Sequence, residues 1–148
     1  EVSGIPYGLM GEMLEGGGNP WRGMLYGMTG RSPRVDNGPL WKLWDSFGMQ
    51  KSEMIGYWVK DNPVKTNSEK TLATVYRHMG DKTLISLATW EDTDAKVTLS
   101  IDWAKLGLDA SKVTLHAPSV ENFQQEASWR PGDEMVVPKG KGLLIIVK

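Results

Sequence analysis

The chain has 148 residues, 17 basic and 18 acidic side chains for a formal net charge of −1, and no cysteine. That length holds one ordinary domain with a core, or a small domain with an appended segment, and not two large domains. The interspersed charge offers no footprint for nucleic acid or an anionic membrane. The missing thiols exclude disulfides, thiolate metal sites and thiol nucleophiles, and leave the redox compartment open.

No run approaches the roughly 18 apolar residues that a bilayer span requires. The opening Glu1-Val2-Ser3-Gly4 lacks a basic n-region and an apolar h-region, and reads as a cut inside a longer protein. Eleven of the 17 glycines and six of the eight methionines fall in the first 54 residues, whereas short alternating apolar runs fill the rest. This change of texture near residue 63 divides the chain into expected units 1–62 and 63–148.

Asn19-Pro20-Trp21-Arg22-Gly23-Met24 places a capping Asn before Pro at the first helical position, with Gly30 beyond the end, and predicts a short helix over about 20–28. A polar loop follows from Arg31 to Gly38. Pro39 then opens a second helix over 39–47, because Leu40, Leu43, Trp44 and Phe47 share one helical face and Gly48 supplies a stop. Residues 53–59 read as a strand closed by Asp61-Asn62-Pro63.

Beyond residue 63 the expected strands are 71–78, 83–90, 96–101, 112–117, 123–129, 134–137 and 142–147, separated by Gly-, Asp- and Pro-containing turns. Asp102 caps one helical turn that stops at Gly107. Short strands at roughly 10-residue spacing predict a mainly β chain with an antiparallel β-sandwich or barrel, preceded by a short α/loop segment.

Few constellations carry chemistry. Glycoside hydrolysis needs two carboxyl groups flanking the bond. Glu12 and Glu15 lie three apart among glycines, and Glu12 with Asp45 is the pair open to a catalytic reading, against the plainer reading of both as solvated surface. Glu91-Asp92 and Asp133-Glu134 sit in expected turns, where Asp bonds nearby backbone. His78 and His116 lie on separate strands with no metal-ligand spacing around them, so neither a metal nor a cofactor is expected. The run Gly16-Gly17-Gly18 lacks the Lys-Ser/Thr of a phosphate loop.

Seven tryptophans, at 21, 41, 44, 58, 90, 103 and 129, offer flat faces for sugar rings or large areas for packing. Trp21-Arg22 joins a stacking face to a fork of donors suited to hydroxyl or carboxylate oxygens. The same arginine equally suits a bridge between packed elements.

The runs Ser3 through Leu14 and Gly17 through Thr29 resemble the late part of bacterial glycoside-hydrolase-like proteins related to glycoside hydrolase family 123, catalogued mainly as a domain of unknown function. Trp41 through Asp45, Met54 through Trp58, Leu99 through Trp103 with Leu106 through Asp109, and Pro138 through Leu144 extend the resemblance over the chain. It implies an N-terminal β domain, a (β/α) barrel and a C-terminal β-sandwich, with residues 1–62 resembling the last barrel elements. It also implies an adjacent Asp-Glu pair that orients the substrate's acetamido nucleophile and supplies the acid. The only Asp-Glu pair here, Asp133-Glu134, falls in the sandwich half, so the dyad is expected upstream.

On that footing the chain is expected to be the C-terminal part of a carbohydrate-active hydrolase without a complete catalytic centre, periplasmic or extracellular. Trp21, Arg22 and Glu12 would line the rim of the barrel site. A non-catalytic carbohydrate-binding or structural module is the alternative, favoured for binding by an exposed Trp pair and for scaffolding by buried Trp. A complete small hydrolase built on Glu12 and Asp45 is a third reading. Expected partners are carbohydrate and the remainder of the barrel. Self-association would follow from an orphaned apolar face on residues 1–60.

Overall fold

The computed structural model describes residues 18–29 and 35–148. Expectations for Glu12, Glu15 and the loop around Pro33 lie outside the described residues. The chain runs through helices α1 (Pro20–Met24) and α2 (Gly38–Phe47), then strands β1 (Glu53–Ile55), β2 (Val64–Thr66), β3 (Thr71–His78) and β4 (Lys82–Thr89). Next come β5 (Ala95–Val97), β6 (Leu99–Ile101), helix α3 (Trp103–Leu106), β7 (Leu115–Ala117), β8 (Ala127–Trp129), β9 (Met135–Val137) and β10 (Gly142–Val147).

Six strands form one antiparallel sheet in the order β1-β3-β4-β10-β7-β8, while β2-β6 and β5-β9 make two separate ribbons. The two-residue period of strand side chains sorts the sheet into faces. Ala73, Val75, Ile85, Leu87, Leu115, Leu143, Ile145 and Val147 enter one core together with Val64, Val97, Leu99, Met135 and Val137 from the ribbons. The intervening Tyr76, Leu84 and Leu144 enter a second core with Met24 of α1 and Leu40, Leu43 and Phe47 of α2. The chain is therefore mainly β and antiparallel, with the ribbons and α3 on one side of the sheet and α1 and α2 on the other.

Local chemistry explains the helix limits. Asn19 accepts the Arg22 backbone N–H, and Pro20 occupies the first turn, where its missing donor costs nothing. This helix ends at Met24, four residues short of the expected stop, because Gly27 at φ 70° turns the chain back and the Met28 N–H returns to the Gly23 carbonyl. The second helix closes at Gly48, left-handed at φ 78°, and buries the expected face. Burial of Leu40, Leu43 and Phe47 contributes roughly 1.5–3 kcal/mol each. Asp102 and Gly107 cap α3 at its two ends as the sequence indicates.

Several strands differ from expectation. The run 96–101 splits at Thr98, with β5 pairing β9 and β6 pairing β2. Expected strand 123–129 contracts to β8, because residues 120–124 close into a turn in which Val120 and Gln124 exchange backbone hydrogen bonds. The strand expected over 53–59 stops at Ile55, where the buried Asn62 side chain substitutes for a ladder: its amide donates to the Ile55, Gly56 and Ala73 carbonyls and its oxygen accepts the Val64 N–H. Trp58 then folds back over Gly56, whose absent Cβ would lie 2.3 Å from the indole. At Gly142 a Cβ would sit 1.8 Å from the Leu87 carbonyl oxygen, so β10 approaches β4 through glycine.

Candidate functional site

Residues 19–28 form a strap across the helix-covered face of the sheet. At one end the Asn19 amide donates to the Gly140 carbonyl at 2.7 Å, and the Trp21 indole N–H donates to the Phe123 carbonyl at 3.2 Å. The Trp21 and Phe123 rings lie 5.0 Å apart, with the Lys141 ammonium 5.3 Å from the indole centroid. Further along, the Arg22 guanidinium lies 4.5 Å over the Trp90 ring. Tyr76 donates to the Met24 carbonyl at 2.6 Å, and Thr74 to the Leu25 carbonyl at 2.8 Å. At the far end Tyr26 and Tyr57 share a hydrogen bond of 2.9 Å, and Tyr26 stacks on Trp58 with ring planes 13° apart.

Trp21 and Arg22 thus occupy the face of the sheet, each engaged with an aromatic side chain of the β region. Asp45 sits on the exposed side of α2. Glu12 lies outside the described residues, so its separation from Asp45 is not defined. Burial pushes the Tyr76 phenol well above its ordinary value, outweighing the lowering from the Gly27 backbone.

Apart from the Tyr76 phenol, the buried polar residues among those described are Asn62, Thr71, Thr74, Thr83, Ser86 and Thr89. No described Asp or Glu is buried. Asp133 accepts the Arg130 backbone N–H across a turn, and Glu134 lies 3.7 Å from Lys96 at the surface. Glu91 accepts from Ser68 and lies 3.7 Å from Lys70. Among the described residues no three His, Cys, Asp or Glu side chains gather to hold a metal ion, and no helix is long and apolar enough to cross a membrane.

A cleft of about 560 Å³ opens between the 120–127 loop and the segment joining β9 to β10. The sequence gives little sign of it, because its lining comes from two stretches, 120–127 and 136–143, that meet only in the fold. Gln124 was the available signal: an amide inside an expected strand, here bonding the Pro118 and Leu144 carbonyls and accepting the Leu144 N–H.

A family model described as the glycoside hydrolase 123 C-terminal domain matches residues 36–148, and one described as the glycoside hydrolase 123 TIM-barrel domain matches residues 1–33. The chain belongs to glycoside hydrolase family 123, carrying that family's C-terminal domain behind a stretch of its barrel. No curated protein matches the chain.

Proposed function

We propose that this chain is the C-terminal part of a glycoside hydrolase, in which the β domain buttresses the barrel and holds no complete catalytic centre of its own. One observation carries the reading: among the described residues no carboxyl is buried, so none lies in an enclosed site of the kind that flanks a scissile glycosidic bond. The strap adds support. It lies in the barrel-matched stretch and is fastened by Thr74, Tyr76, Trp90 and Phe123 of the β domain. A barrel of this type occupies about 250 residues, so 33 matched residues supply only a piece of one.

The two family matches meet between residues 33 and 36, and α2 and β1 pack into the sheet. We therefore put the junction there, and read the texture change near 63 as the start of the strand-rich part of the β domain. Carbohydrate is the substrate class, the rest of the barrel is the main partner, and the setting is periplasmic or extracellular, with which a thiol-free chain is compatible. The Trp pair that would mark a sugar-binding platform has no support: only Trp41 is more than one-third exposed, at 51%.

A panel of aryl glycosides tests the reading with the 148-residue chain. No turnover is expected, and hydrolysis above the uncatalysed rate that Asp45→Asn abolishes would sink it in favour of a small complete hydrolase.

A further inference from the structure

The cleft beside the 120–127 loop has the parts of a ligand site that the buttress role leaves unused. Its volume of about 560 Å³ falls within the range of small-molecule sites. One wall is fixed from behind. The Gln124 amide spans the Pro118 carbonyl and both backbone groups of Leu144, and Trp21 of the strap packs on Phe123 while bonding its carbonyl. Asn122 adopts φ 58°, a left-handed conformation that Asn tolerates better than most residues.

The lining then presents polar groups with spare capacity. The side-chain amides of Asn122 and Gln125 have no hydrogen-bond partner among the described residues. Among the described residues Glu126 is the only carboxylate in the lining, and its Oε1 lies 3.6 Å from His116 Nε2, whose ring is held from the other side by Ser128 at 3.0 Å. Opposite stands Val136, 51% exposed on an otherwise buried strand, next to Pro138.

We propose that this cleft is a carbohydrate-binding site of the β domain, one that takes a neutral pyranoside and does not cleave it. Planar amide and carboxylate groups pair with adjacent hydroxyls, each of which both donates and accepts. Val136 and Pro138 give the C–H face of the ring an apolar surface. Glu126 and Lys141 bring opposite charges to the same cleft, which favours a neutral ligand over an acidic sugar. A lone carboxylate lacks the second group that hydrolysis requires. Trp21 acts here from behind the wall, as a positioning residue through Phe123.

This site rests on the carbohydrate reading of the chain, and its test is separable from that reading. The whole 148-residue chain, labelled with ¹⁵N, is titrated with cellobiose, lactose, maltose and N,N′-diacetylchitobiose, with glucuronate as the anionic comparison. At least one neutral disaccharide is expected to shift the amides of residues 122–126 and 141–143. The exposed pair Gln125→Ala and Glu126→Ala should weaken binding about tenfold or more, as loss of two to three hydrogen bonds implies, whereas Trp41→Ala leaves it unchanged. The proposal is overturned if no neutral sugar shifts the cleft, if Trp41→Ala abolishes binding, or if glucuronate binds more tightly. Hydrolysis of aryl glycosides by the barrel-bearing enzyme, with no sugar bound in this cleft, would remove the site and leave the family reading intact.

Discussion

Tyr76, on the helix-facing side of β3, donates its phenolic hydrogen to the Met24 carbonyl at 2.6 Å and so joins residues 52 apart in the chain. Met24 belongs to the barrel-matched stretch and Tyr76 to the C-terminal domain. Both are buried, so this bond replaces water that neither group can reach.

Tyr76→Phe removes the shorter of two bonds to the buried Met24 carbonyl, which keeps the Gly27 N–H at 3.4 Å, at a cost of about 0.5–1.5 kcal/mol in urea denaturation. The pH dependence is the sharper readout. Because burial raises the folded phenol above its unfolded value of about 10, the folded state retains a proton that the unfolded state releases. The stabilisation is complete below pH about 10 and declines as pH rises beyond it. Tyr76→Phe should flatten that alkaline decline.

Asn62→Ala removes the side-chain bonds to the Ile55, Gly56 and Ala73 carbonyls and to the Val64 N–H, of which the Gly56 carbonyl keeps the Val59 N–H. A loss of roughly 3 kcal/mol or more is expected. Amide hydrogen exchange should rise at residues 56–64 before it rises in β4.

Gly142→Ala should prevent the native pairing of β4 and β10, since the new Cβ would overlap the Leu87 carbonyl oxygen. The matching control is Gly132→Ala, where no atom lies within 4 Å and the cost comes from φ 91° alone, at about 1–2 kcal/mol. Circular dichroism and thermal melts of the pair separate the two effects.

Asp45→Ala is expected to change stability by less than about 0.5 kcal/mol, because the carboxylate is exposed and accepts no hydrogen bond among the described residues. Trp21→Ala should cost about 2 kcal/mol by removing the Phe123 contact and the indole hydrogen bond, with the sheet retained. Urea denaturation of both variants checks the contrast.

Features governed by neighbouring residues were legible in the sequence. Asn19 with Pro20, Gly48 after Phe47, and Asp102 with Gly107 mark helix ends through short-range hydrogen bonding and left-handed stops, and β3 and β10 follow from their apolar pattern. The split at Thr98 was not legible, because β5 and β6 are divided by which distant strand each one meets. Trp21 and Arg22 carry the chemistry of sugar contact in sequence. Their packing on Phe123 and Trp90 depends on contacts with residues more than 60 positions away. The cleft escaped for the same reason: Glu126 and Val136 face one space only after β8 and β9 join different sheets.

The placement of β10 between β4 and β7 has a consequence for synthesis. Strands β7 and β8 reach the rest of the sheet only through β10, which follows both in the chain. On the ribosome the strap precedes its anchors Thr74 and Tyr76 by about fifty residues, and the bridging strand follows both β7 and β8. Until residues 142–147 clear the exit tunnel, the two halves of the sheet remain separate pieces with raw edges, and the nascent protein is at its most vulnerable to pairing with a stranger.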